Sequence, residues 1–148
     1  ALGLLGARAY EPDQAPKMRD HVLGAESHFG AGRIYALRSN AKDSAWGAIE
    51  QIGEVLAPLG IQTEREGGGP GPDIIPLAQR GMAWAQLAQD GTDYFDYHHT
   101  PDDTLDKIDP EALDQQVAAY AAFAYLAASI EGDFGSQPRE VSGDEPSR

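Results

Sequence analysis

The chain has 148 residues, 41% of them hydrophobic, and a formal net charge of −13 with a pI near 4.4. That length fits one domain with a core of its own, and that charge argues against nucleic acid or an anionic membrane as partner while favouring a cationic ligand. No run approaches the ~18–20 apolar residues of a membrane span, and the absence of cysteine excludes disulfides and thiolate metal sites, so a zinc ion here would need His and carboxylate donors.

Residues 1–10 read as a helix already under way, with no N-cap before it. Pro12 and Pro16 are expected to break it and to leave 11–19 as a polar loop. His21–Ser27 carries Val22, Leu23 and Ala25 and is expected to be a buried strand. Gly30 and Gly32 mark a turn, and Arg33–Arg38 alternates with β-branched and aromatic character, as a second strand would. Residues 43–59 predict a helix capped by Asp43 or Ser44 and stopped by Gly60. Trp46, Ile49, Ile52, Val55, Leu56 and Leu59 lie near one face of it, with Trp46 as core packing. Ile61–Glu66 alternates and reads as a strand near an edge.

The run Gly67-Gly68-Gly69-Pro70-Gly71-Pro72 opposes regular structure, and it lacks the lysine and hydroxyl of a phosphate-cradling loop. Asp73 is expected to cap a short helix reaching Arg80, with Gly81 ending it. Met82–Gln89 is expected to be a strand. Asp109 followed by Pro110 predicts an N-cap and first-turn proline for a final helix whose buried stripe would be Leu113, Val117, Tyr120 and Ala124. After Ile130 the composition turns to Gly, Ser, Pro, Asp and Glu. The division is therefore a domain over 1–130 and a flexible acidic tail over 131–148. Strands alternating with helices indicate an α/β fold: a mixed, mostly parallel sheet flanked by helices.

Chemistry concentrates in residues 94–109, YFDYHHTPDDTLDKID. Imidazole is the commonest metal ligand and usually needs a carboxylate to fix its tautomer. Spacing alone leaves two readings equal: a metal-binding segment built on His98 or His99, or a solvated acidic loop with two incidental histidines.

The segment His99-Thr100-Pro101-Asp102-Asp103-Thr104, followed by Ile108-Asp109 and a long helix, resembles the last metal-ligand segment of the co-catalytic zinc exopeptidases. Those are the leucyl-type aminopeptidases and the plasma glutamate carboxypeptidase group. Gly3–Tyr10, Ala25-Glu26-Ser27-His28-Phe29-Gly30, and Pro72–Leu77 with Trp84 are similar to further family segments in the right order, over about residues 1–130. The resemblance implies the C-terminal half of the family's α/β sandwich, two zinc ions in the parent and a secreted or periplasmic location. It makes His99 a zinc ligand and Asp103 its supporting carboxylate.

His28 stands where the family carries a ligating Asp, so it is either a nitrogen ligand or an unliganded histidine at a strand end. Glu26 would then be a strand or supporting carboxylate. The family's upstream His, bridging Asp and Glu-Glu pair have no counterpart here, and Ala1 falls at the second Glu. The expectation is a fragment of a zinc exopeptidase, one that holds at most one weak zinc and is inactive alone. The alternative is a ligand-depleted interaction module of the same fold. Peptide is the expected substrate of the parent. The expected partner is the missing N-terminal half or a second copy, because half a sheet leaves an edge unpaired.

Overall fold

The computed structural model describes residues 3–132 and 134–136. The first helix, α1, spans Leu5–Gln14 and contains Pro12. Two 3-10 turns over Ala15–Asp20 continue it. The expected break at Pro12 therefore does not occur. Proline's fixed φ is itself helical, and so near the helix end its missing N–H removes only one bond. α1 buries none of its residues. It is tied to the rest through the Arg80–Glu11 ion pair and through Met18, which packs with Leu77 and Met82 in a small separate cluster.

Residues 21–27, expected as a strand, form one parallel bridge only. The Gly24 N–H donates to the Ala83 carbonyl (2.9 Å), and the Ala85 N–H donates to that of Gly24 (2.8 Å).

Three strands follow the expected segments: β1 (Ile34–Ser39), β2 (Gln62–Glu64) and β3 (Ala85–Gln89). Their order is β2-β1-β3, with β1 parallel to β2 and antiparallel to β3. The sheet is therefore mixed, and β2 lies at an edge as its sequence suggests. Between β1 and β2 runs α2 (Trp46–Leu56), flanked by 3-10 turns on both sides, and Gly60 at φ 81 stops it. Trp46, Ile49, Ile52 and Leu56 are buried as the helical spacing requires, while Val55 is exposed. Neither Asp43 nor Ser44 caps the helix. Asp43 instead accepts from the Arg65 guanidinium (2.5 Å), which lies over the Trp46 ring.

α3 (Ile75–Gln79) is shorter than expected. Its entry is closed by Ile74 and Ile75 N–H groups donating to the Gly71 carbonyl rather than by an Asp73 cap. α4 (Tyr94–Tyr97) is a single turn, and α5 (Pro110–Ser129) is the long final helix. Asp109 caps α5 as expected, its Oδ1 accepting from the Glu111 N–H (2.7 Å) and the Ala112 N–H (3.1 Å).

The buried face of α5 is not the expected one. Ala112, Gln115, Gln116, Ala119, Phe123 and Ala127 point inward, Leu113, Val117 and Ala124 are exposed, and Tyr120 is half-buried. The cause lies in the sheet. Pairing of β1 with β2 begins only at Ala36, so the polar backbone of Ile34 needs another partner. Gln115 supplies it: its Oε1 accepts from the Ile34 N–H (2.8 Å) and its Nε2 donates to the Ile34 carbonyl (2.7 Å). Gln116 Nε2 donates to the Gly32 carbonyl in the same way (2.8 Å). Small alanines on that face let the helix come close enough for these bonds.

Part of the expected tail also joins the core. Phe134 is 1% exposed and packs in the main cluster, and the Ala83 N–H donates to Ser136 Oγ (2.9 Å). The remainder of 131–148 lies outside the described residues. Among those described, no helix is long and apolar enough to cross a membrane.

Candidate metallopeptidase site

Beside the start of β1 and the end of β3 lies a cavity of about 400 Å³, lined among others by His28, Arg33, Tyr97, His98, Asp103 and Lys107. Three segments bring these together: the turn after Gly24, the 94–108 loop and the start of α5. The loop is held by its own short polar side chains, as such segments commonly are. Thr100 Oγ1 donates to the Tyr97 carbonyl (2.7 Å), the Asp102 N–H donates to Thr100 Oγ1 (3.2 Å), and Thr104 Oγ1 donates to Asp106 (2.5 Å). That last bond, and then Lys107, hold the Asp106 carboxyl down at about 2. Asp106 in turn raises the Lys107 ammonium. Asp90, on the cavity wall, accepts from the Thr92 hydroxyl (2.6 Å) and amide (3.0 Å). Those two bonds hold it below the usual carboxylate range.

His98 and His99 sit side by side, but in different places. His98 faces the cavity and His99 is not part of its lining. His99 adopts φ 59, a left-handed conformation that costs a non-glycine residue about 1–2 kcal/mol and that concentrates at functional sites. Four rings stack in sequence: Phe29 on Tyr94 (4.3 Å between centroids), Tyr94 on His98 (4.5 Å) and His98 on His99 (3.9 Å). His28 meets the far end of this column edge-on at Phe29 (6.2 Å). The structure thus brings His28, His98 and Asp103 to one cavity and sets His99 at the opposite end of the column from His28.

His28 also borders a second cavity of about 200 Å³, shared with Glu26, Arg38, Gly68 and Gln86. Its Nδ1 is buried without a hydrogen-bond partner, as is Gln86 Oε1, and Glu26 Oε1 lies 3.9 Å from that nitrogen, too far for a direct bond. Glu26 is occupied elsewhere, its Oε2 accepting from the Asp73 N–H (2.9 Å). Gly68, from the glycine-rich run, is part of this second cavity's wall. Gly68 and Gly71 have positive φ, and a Cβ on either would overlap Gln86 or Glu26. Asp103 has no hydrogen bond to either histidine among the described residues.

Neutral imidazole and carboxylate are donor types that suit zinc, which takes four protein ligands in a structural site and three in a catalytic one. Their number here does not suit it. Among the described residues no group of three or more such side chains stands close enough to hold a metal ion. Phe29, Tyr94, Asp90 and Lys107 were not singled out by sequence. The i, i+4 spacing of Tyr94 and His98 was the one signal available for the ring column.

The sequence matches peptidase family M28 over residues 2–124. It is 29% identical over 129 residues to carboxypeptidase Q of Bos taurus and 30% identical to that of Homo sapiens, a span that covers 87% of this chain and 27% of each relative. The fold superposes on the crystal structure of a peptidase M28 precursor from Shewanella amazonensis SB2B. That match has a TM-score of 0.85 at 42% identity and covers 95% of this chain and 31% of the other. The chain thus spans roughly a quarter to a third of the proteins it matches. With residues 2–124 matched to the family, the chain belongs to peptidase family M28, a family of metallopeptidases.

Proposed function

We propose that the chain is the C-terminal, ligand-bearing portion of a zinc exopeptidase, an aminopeptidase or carboxypeptidase that hydrolyses terminal peptide bonds, and that it is inactive by itself. One observation carries this reading: His28, His98 and Asp103 line a single cavity, His99 stands beside it, and yet no three donors converge among the described residues. In this reading zinc is held by His99 with Asp103 as supporting carboxylate, and further donors come from chain outside these residues. The expectation that His28 shares that ion fails, because the ring column sets His28 at the far end from His99. Zinc, when bound, would supply charge stabilisation at the scissile carbonyl. The residues present supply the cavity wall, the imidazoles and their support. A secreted or periplasmic location accompanies this reading.

The test is metal content together with hydrolysis of aminoacyl and dipeptide substrates by the purified chain in added zinc. We expect no turnover, at most one weakly bound zinc, and loss of that zinc in His99→Ala. Zinc-dependent turnover by these 148 residues would overturn the reading.

The missing convergence of donors equally supports a second reading, a non-catalytic interaction module. The two differ in a longer protein containing this chain, which hydrolyses peptides in the first case and binds without hydrolysis in the second. Either way the expected partner is the remaining part of a larger domain or a second copy, because the sheet leaves β2 at an edge. Light scattering that returns a 15.8 kDa monomer at moderate salt would remove the second copy.

A further inference from the structure

We propose that His98 is a positioning residue that works through the face of its ring, and that the Phe29–Tyr94–His98–His99 stack is a strut setting where the His99 imidazole stands. Three parallel contacts run unbroken, with interplanar angles of 20°, 26° and 23°. The three centroid spacings, 4.3, 4.5 and 3.9 Å, lie at or below the short end of the range of about 4.5–7 Å that aromatic pairs usually take. His98 and His99 are both exposed, so burial does not hold them. The backbone sets the turn that presents them: the Thr100 N–H donates to the Tyr97 carbonyl (2.9 Å), with His98 at φ −51, ψ 119 and His99 at φ 59 as in a type II turn. The stacking acts on the side-chain torsions that bring the rings face to face.

The chain makes room for the strut at its far end. A Cβ on Gly91 would overlap the Phe29 ring, and one on Gly30 would come within 3.2 Å of Tyr94 Cδ2. Tyr94 and His98 share a face of the single turn α4 by their i, i+4 spacing, and the His98 N–H donates to the Tyr94 carbonyl (2.9 Å). Phe95 braces the column edge-on against Phe29, Tyr94 and His98. The strut therefore joins the segment carrying His28 to the loop carrying His99 and keeps their separation constant. His98 needs no nitrogen for this, only a flat ring of the right thickness.

This goes beyond the zinc-exopeptidase reading and requires no metal, so the two fail separately. The experiment is proton NMR of the metal-free chain, following the upfield ring-current displacement of the His99 ring protons. His98→Ala should abolish most of that displacement, and His98→Phe should keep it. Phe29→Leu, two rings beyond His98 with apolar volume retained, should also relax the His99 signals while core signals from Ile34 and Leu37 stay put. Loss in His98→Phe equal to that in His98→Ala, or His99 signals indifferent to Phe29→Leu, would overturn the strut. A zinc titration of the same variants separates the roles. If His98→Phe keeps the ring shift and loses zinc, His98 nitrogen is a ligand and the face-only role is overturned. If only His99→Ala loses zinc, both proposals stand.

Discussion

The two terminal helices of this domain, α1 and α5, are held in opposite ways. α1 buries none of its ten residues, has no side-chain cap, and leaves Leu5 75% exposed. α5 buries six residues, is capped by Asp109, and is bonded through Gln115 and Gln116 to the backbone that opens β1. The difference shows what anchors α5: a packed face, and a neighbour's polar backbone satisfied by its glutamines.

Substitutions can break or sharpen that contrast. The largest effect is expected from Phe134→Ala, which empties a fully buried site just beyond α5 and should cost about 3–5 kcal/mol in urea unfolding. A cost below about 1 kcal/mol would mean that the residues after α5 are not part of its anchorage. Next comes Gln115→Leu. It removes both bonds to Ile34 and leaves a buried donor and acceptor unpaired, for an expected loss of ~2–4 kcal/mol. A neutral result would show that the apolar face alone holds α5.

Asp109→Ala should cost about 1 kcal/mol by removing two cap bonds, and Asp109→Asn should restore most of it. The smallest change is expected at the other terminus. Leu5→Ala should alter stability by no more than ~0.5 kcal/mol, and the amides of α1 should exchange with solvent well before those of α5. Equal protection of the two helices would erase the contrast. A larger Leu5→Ala penalty in a longer protein that contains this chain would sharpen it, by showing that α1 is anchored from outside these residues.

Much of the fold was legible wherever one residue decided one feature. Asp109-Pro110 placed the start of α5, Gly60 the end of α2, and the spacing from Trp46 to Leu56 the inner face of that helix. The inner face of α5 was not legible. Leu113 and Val117 look more apolar than Gln115 and Gln116, and periodicity alone cannot choose between two faces that both carry alanine at helical spacing. Asp43 and Asp73 carried capping chemistry but were claimed by Arg65 or left unused once the backbone closed another way. In the candidate site, the histidine-bearing loop stood out by composition and family resemblance. The stacking partners did not, because Phe29 lies far from Tyr94 in sequence and only folding brings their rings together.

By itself, then, the sequence determined the class of fold, the family and the donor types available to a metal: with no cysteine, only imidazole and carboxylate remain. These depend on residue identity and local spacing, which the chain carries wherever it goes. Tertiary structure alone decided that α5 turns its glutamines inward, that Phe134 belongs to the core, and that His98 faces the cavity while His99 ends a column of rings. Each of those outcomes depends on pairing groups distant in sequence, such as Ile34 with Gln115 or Phe29 with Tyr94. An unpaired backbone group or an unfilled contact has no signature until the chain closes on itself.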